Sequence, residues 1–331
     1  MREGKMKVLA QWLASVAIGA ALGVSQIHAQ QYPDKPINII VPFPPGGADV
    51  YIRTAQPFAE KALGQSILVH NRSGANGHIG TEAVRTAKPD GYSLLFNVTS
   101  SAVMNPLTMS SARYDIEKDF LPITDFIHTA IVLVVRKDFP AATVQELIAY
   151  VKANPGKVNY ASPGLGSTTH LTGASLAKAL GVAMIHVPYK GFVPGIQALA
   201  AGEADMGFMA SGVVQTQVQS GALRVLAMAE GEAPQGYPNL PDLMKVLPGF
   251  ENIPSISVLW APAGTPRPVI EKLNAVFVAA IRAPDVRAKY AELGLAPAGH
   301  SIGETEKLIA NLVSVATRHV SDAKAAGIKF E

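Results

Sequence analysis

The stretch Ile37-Asn38-Ile39-Ile40-Val41-Pro42-Phe43-Pro44-Pro45-Gly46-Gly47-Ala48-Asp49-Val50 decides the fold. Its apolar start reads as a buried strand of an α/β sheet, which Pro42, Pro44 and Pro45 end because proline donates no ladder hydrogen bond. Gly46 and Gly47 then allow a turn with positive φ. Asp49 stands where a helix N-cap or first-turn acid belongs, ahead of Val50-Tyr51-Ile52-Arg53-Thr54-Ala55. Strand, glycine loop and helix start together present backbone N–H groups to an anion. The stretch contains no Lys, Arg, His or Cys, so it offers neutral amides and a helix dipole. That suffices to hold a carboxylate but not to cleave a bond. A lone Gly-Gly is also an ordinary βα turn, so the functional reading depends on what recurs downstream.

At 331 residues, with 48% hydrophobic and 16% charged residues, the chain suits two globular lobes better than one core. Residues 1–29 read as a secretory signal peptide. Arg2, Lys5 and Lys7 form a basic start, 8–24 an apolar run, and Ile27-His28-Ala29 a small-residue cleavage site. A membrane anchor is the competing reading, but the Ala- and Gly-rich run with Gln11 is a weak span. Cleavage removes three basic residues and Glu3, so the formal charge of +3 falls to about +1 in the mature chain. No basic block remains to track phosphates, which argues against nucleic acid as a partner. The absence of cysteine excludes disulfides, thiolate catalysis and Cys-ligated metals. An exported, cysteine-free chain of this kind fits a bacterial periplasm.

Downstream, Ser66-Ile67-Leu68-Val69 and Tyr92-Ser93-Leu94-Leu95-Phe96-Asn97 read as further strands, with a helix at about 79–87 between them. Pro57 conflicts with an uninterrupted first helix, since an interior proline costs roughly 3 kcal/mol. Thr99, Ser100 and Ser101 follow the C-terminal end of the third strand, where open α/β sheets take ligands. A second lobe begins at Ile131-Val132-Leu133-Val134-Val135-Arg136 and continues with a helix opened by the capping box Thr143-Val144-Gln145-Glu146. Val158-Asn159-Tyr160-Ala161 then leads into Ser162-Pro163-Gly164-Leu165-Gly166-Ser167-Thr168-Thr169 and a helix, repeating the opening pattern. Ile256 to Pro262 resembles Ile131 to Arg136, and the two are read as the crossings between lobes. The expected division is therefore 30–130 with 256–331 as lobe 1 and 131–255 as lobe 2. Helices at about 266–283, 285–293 and 302–327 are expected to pack mostly on lobe 1.

Catalytic motifs do not assemble. Gly164-Leu165-Gly166-Ser167 with His170 lacks the G-x-S-x-G order of a nucleophile elbow, and no G-K-[ST] follows the glycines. The eight histidines include no helical pair with a third ligand nearby, so no metal site or cofactor is expected. Taken singly, the hydroxyl residues are caps. Taken together they place neutral donors at strand ends of both lobes, the pattern of a cleft that grips an anion without transforming it.

These residues carry a family resemblance. Tyr32-Pro33-Asp34-Lys35-Pro36, Val41 to Gly47, Asn71-Arg72, Pro89-Asp90-Gly91-Tyr92, Asn159-Tyr160-Ala161-Ser162, Gly166-Ser167, His186-Val187-Pro188-Tyr189-Lys190-Gly191 and Ala261-Pro262-Ala263-Gly264-Thr265-Pro266 occur in order. The mature chain resembles the Bug family, the TctC-type solute-binding proteins of tripartite tricarboxylate transporters. The resemblance implies a type II Venus flytrap of two lobes, each a mainly parallel sheet flanked by helices. It implies a periplasmic monomer without enzymatic activity or cofactor, closing on a small carboxylate and delivering it to a membrane permease. Docking on a receptor kinase as a ligand sensor is the alternative. The ligand-binding role carries over to Phe43, Gly47, Ala48 and Asp49 and to Thr99, Ser100 and Ser101 in the first lobe. In the second it falls on Ser162, Gly166, Ser167, Thr168 and Thr169, with Phe192, Met209 and Ala210. Two positions depart from the family. Many members carry Asp-Asn after the residue matching Phe208, where this chain has Met209-Ala210, which removes an acid able to select an ammonium group. After Lys190-Gly191 a small residue is common, and Phe192 here supplies a ring for an apolar or aromatic ligand body. The expected ligand is an amine-free acid, either an aromatic carboxylate of the terephthalate kind or a straight-chain dicarboxylate.

Overall fold

The computed structural model describes residues 32–46, 48–230, 239–293 and 295–330; the leader and Gly47 lie outside the described residues. In chain order the strands are β1 Ile37–Val41, β2 Ile67–Asn71, β3 Ser93–Val98, β4 Phe120–His128, β5 Ile131–Arg136, β6 Asn159–Ser162, β7 Ile185–Pro188, β8 Met206–Ala210, β9 Leu223–Glu230, β10 Ile256–Pro262 and β11 Ala296–Pro297. The helices are α1 Asp49–Leu63, α2 His78–Arg85, α3 Thr99–Ala102, α4 Met104–Thr108, α5 Ile116–Asp119, α6 Val144–Ala153, α7 Thr168–Leu180, α8 Phe192–Ala201, α9 Ser211–Gln219, α10 Leu243–Val246, α11 Arg267–Arg282, α12 Pro284–Glu292 and α13 Ile302–Ala325.

The strands form two sheets, ordered β11-β4-β10-β3-β1-β2 and β7-β6-β8-β5-β9. The chain leaves the first sheet after β4, builds the second from β5 to β9, and returns as β10. Both sheets share one plan. Three parallel strands lie with the earliest in the middle, then one antiparallel strand is inserted, and beyond it a fourth strand resumes the common direction. The inserted strands are β10 in the first sheet and β5 in the second. The sheets are thus mainly parallel in direction, with the antiparallel pairings confined to the inserted strands and to the short β11.

Parallel strands joined through crossover helices are covered on both faces, which is why these strands read as near-continuous apolar runs. In the first sheet Ile37, Ile39 and Val41 pack with Ile52, Ala55 and Ala59 of α1 and with Leu273 and Phe277 of α11. Its other face buries Leu95, Phe120 and Trp260 under Leu312 and Ala316 of α13. In the second sheet every residue from Ile131 to Val135 is buried, alternating between a core with α6 and α7 and a core with α8 and α9.

Two local findings differ from the sequence expectation. Helix α1 runs through Pro57, and its buried stripe of Ile52, Ala55, Ala59 and Leu63 shows why: packing against β1 and α11 outweighs the missing backbone bond. Strand β4 is not apparent from sequence because Pro122 interrupts it. In the fold Pro122 pairs with Trp260 where the β4–β10 register shifts, and a bulge is one of the few sheet positions that accept proline.

Candidate functional site

A cavity of about 1050 Å³ opens at the tips of both sheets. On the side of the first sheet it is walled by Phe43, Pro44, Pro45, Gly46, Ala48 and Tyr51, by Ala75 and Asn76, by Val98 and Ser100, and by Thr108, Met109 and the C-terminal Phe330. On the side of the second it is walled by Pro163 to Thr168 and by Gly191, Phe192 and Val193, while Thr129 and Ser255 stand where the chain passes between the sheets.

The first proline-glycine loop is held by a closed circuit of hydrogen bonds. Gly46, at φ +93°, donates its N–H to Asp49 Oδ1 at 2.9 Å, and Asp49 Oδ2 accepts from Arg53 Nε at 3.2 Å. Arg53 also donates to Asn71 Oδ1 at 3.0 Å, and Asn71 Nδ2 donates to the Phe43 carbonyl at 2.9 Å. Asp49 is the first residue of α1 and is buried, so it serves as the first-turn acid that braces the loop and its carboxylate stays out of the cavity wall. Next to this loop, Ala75 and Asn76 both adopt left-handed φ, of 45° and 49°, unusual for non-glycine residues. The Asn76 carbonyl accepts from Ser101 Oγ at 2.7 Å and Asn105 Nδ2 at 3.0 Å, which locks that conformation.

The second loop is built on the same plan with different fasteners. Ser167 caps α7, accepting the His170 N–H at 3.2 Å and donating its own proton to the Gly164 carbonyl at 2.7 Å. Gly166, at φ +76°, donates its N–H to His170 Nδ1 at 3.1 Å. Ser162 Oγ accepts the Gly164 N–H at 3.2 Å and lies 2.7 Å from His186 Nε2. His170 and His186 stack with ring centroids 3.7 Å apart. Burial, joined for His170 by the neighbouring His186, pushes their pKa values down to about 3 and about 4. Both imidazoles are therefore neutral at neutral pH, and His170 Nδ1 keeps the lone pair that Gly166 requires. Gly173 lets α7 approach Tyr160, because a Cβ there would sit 2.2 Å from the ring.

Among the residues expected at the site, Phe43, Ala48, Ser100, Gly166, Ser167, Thr168 and Phe192 lie on the wall. Asp49, Thr99, Ser101, Ser162 and Thr169 are buried just behind it. Thr99 Oγ1 donates to the Pro254 carbonyl at 2.7 Å and accepts the Ile256 N–H at 3.2 Å, tying the end of β3 to the returning chain. Met209 is fully buried and Ala210 half-buried in the packing of the second sheet, away from the wall, because the alternation of β8 turns them toward helices. Gly47 is outside the described residues. Sequence reasoning missed Tyr51, Asn76, Thr108, Thr129, Ser255 and Phe330. Of these only Asn76 carried a signal, in the turn residues Ser73-Gly74-Ala75-Asn76-Gly77.

Among the described residues, none on the wall bears a carboxylate, imidazole, ammonium or guanidinium group. The starts of α1, α7 and α8 supply partial positive charge of roughly half a unit each, and hydroxyls and aromatic rings supply the rest. Burial raises the Tyr51 pKa, so its phenol stays a neutral hydrogen-bonding group. The arrangement can bind an anion with an apolar body.

Two sheets of one plan joined by two crossings, with an uncharged cavity at their tips, define a receptor of the periplasmic binding-protein class. The chain belongs to the TctC family: the model of the tripartite tricarboxylate transporter family receptor matches residues 51–323. A UPF0065 protein of Pseudomonas sp. strain P51 is 36% identical over 305 residues, covering 89% of this chain and 88% of its own. Protein BugT of Bordetella pertussis is 32% identical over 309 residues, covering 92% and 93%. Among solved structures, MatC from Rhodopseudomonas palustris with bound malate is 28% identical with a TM-score of 0.71, covering 87% of this chain and 100% of that one. R. palustris Rpa4515 with adipate is 28% identical with a TM-score of 0.74, covering 90% and 99%.

Proposed function

We propose that this protein is exported to the periplasm, captures a small organic carboxylate between residues 30–130 with 256–331 and residues 131–255, and delivers it to a tripartite tricarboxylate transporter permease. The observation that carries this reading is a wall built from both sheets, rich in helix starts and hydroxyls and, among the described residues, free of charged side chains. Such a wall pays little desolvation cost and releases the acid unchanged when the halves part. The malate and adipate held by two relatives support a carboxylate ligand.

The rings of Phe43, Tyr51, Phe192 and Phe330 favour a ligand with a flat or aliphatic middle, an aromatic carboxylate of the terephthalate kind or a straight-chain dicarboxylate. Among the described residues the wall carries no acidic side chain that would select an ammonium group. A thermal-shift panel of amine-free acids beside aspartate and glutamate tests both points, because a ligand at 100 times its Kd stabilises by about 2.7 kcal/mol. Terephthalate, adipate or malate should raise the melting temperature. A shift with the amino acids alone would refute the specificity.

A further inference from the structure

Away from the cavity, two imidazoles converge on a fully buried carboxylate. Asp125 Oδ2 lies 2.7 Å from His128 Nε2 and 2.7 Å from His300 Nδ1, while Oδ1 accepts the His300 backbone N–H at 2.9 Å. One ligand atom from each side chain falls within 4.8 Å of the other two. Along the sequence the histidines offer no helical pair with a third ligand nearby, so no metal site is expected there. The fold brings the three side chains together. The β4–β10 register sets Val258 opposite Asp125 and Ser257 opposite Ile127, skipping Phe126, and this bulge brings Asp125 and His128 to one side. The backbone at His300 is then pinned in place. Its carbonyl accepts from Thr124 Oγ1 at 2.8 Å and Asn274 Nδ2 at 3.0 Å, and the Gly299 N–H donates to the Asp125 carbonyl at 3.1 Å.

Charge points the same way. The Asp125 carboxyl group is fully buried. Among the described residues its ion-pair partners are these two imidazoles. A buried carboxylate needs a compensating cation, and a bound divalent ion would supply one.

We propose that Asp125, His128 and His300 form a two-histidine, one-carboxylate site for a first-row divalent cation of the zinc or nickel class, with water completing the shell. The His128 and His300 side chains are 30% and 40% exposed, which provides the entry path. Ligation moves each inward-facing imidazole proton to the outer ring nitrogen or to solvent. Bonds of about 2.0–2.2 Å in a tetrahedral shell set neighbouring ligand atoms about 3.3 Å apart, so each Asp125–imidazole pair opens from 2.7 Å by about 0.6 Å. His128 ends β4 and is followed by Thr129 on the cavity wall, so a bound cation ties one crossing between the sheets to the start of α13.

The test uses the full-length mature protein without an affinity tag, stripped with chelator and dialysed against ZnCl2 or NiCl2. Wild type should bind one equivalent saturably and melt at a higher temperature in its presence. His300→Gln, whose amide can still donate to Asp125, should fold and lose at least about tenfold in affinity. Asp125→Asn is the harsher variant, and the conclusion does not depend on its folding. No saturable binding at millimolar zinc or nickel, or equal binding by wild type, His128→Gln and His300→Gln, would overturn the assignment and leave a hydrogen-bonded cluster.

Discussion

Replacing Ser167 by alanine separates a residue that holds the second loop from one that grips the ligand. The Ser167 hydroxyl accepts from the His170 N–H and gives its single proton to the Gly164 carbonyl, so no proton is left to donate to a bound acid. Loss of an N-cap costs about 1 kcal/mol, and loss of the second bond, to a part-buried carbonyl, costs about another 1 kcal/mol. The sum of about 2 kcal/mol should lower the melting temperature by roughly 4–8 °C on the scale of a 150–250-residue domain, and somewhat less in a longer chain. Affinity should fall only as far as the loop loosens, by less than about tenfold if under 1.4 kcal/mol of that loss reaches the bound state. Calorimetric titration with the best acid from the panel, alongside melting of the free protein, measures both. Unchanged melting with a hundredfold weaker Kd would refute the reasoning, because Ser167 would then be a direct ligand donor. Ser167→Thr, which keeps the cap, should restore most of the stability.

Gly173→Ala should destabilise by about 1–3 kcal/mol or more, read by chemical denaturation, because the new methyl group meets the Tyr160 ring at 2.2 Å. A normal denaturation midpoint would mean that Tyr160 can move aside freely. The two buried histidines predict a pH response. Their folded pKa values of about 3 and about 4 lie below the ordinary 6.5, so the unfolded chain binds more protons as pH falls below 6.5. Their contribution to stability is present at neutral pH and is lost progressively between pH 6.5 and about 3. Glu230, raised to about 7 chiefly by burial, acts in the opposite sense over pH 7 to 4.5, so the difference between wild type and His170→Gln is the measurement to make. A variant with the same pH slope as wild type would show that His170 does not titrate this way.

The sequence by itself determined most of the fold. Continuous apolar runs such as Ile131 to Val135, each ended by proline, glycine or a capping hydroxyl, define strands buried on both faces and the helices that follow them. The two proline-glycine and glycine-serine loops were legible for the same reason: local rules for φ, caps and helix dipoles act over a few residues. The capping role of Ser167 follows from its position before Thr168. What spans the chain was not legible. Phe330, Thr129 and Ser255 reach the cavity only because the chain crosses twice between the sheets, and Asp49, though adjacent to the loop, turns back to brace it. The bulge at Phe126, which no residue pattern announces, sets Asp125 beside His128, and packing of the last helices brings in His300. Short-range sterics and hydrogen bonding are written residue by residue, whereas the side of a strand on which a group emerges and its distant neighbours are settled only when every element has packed.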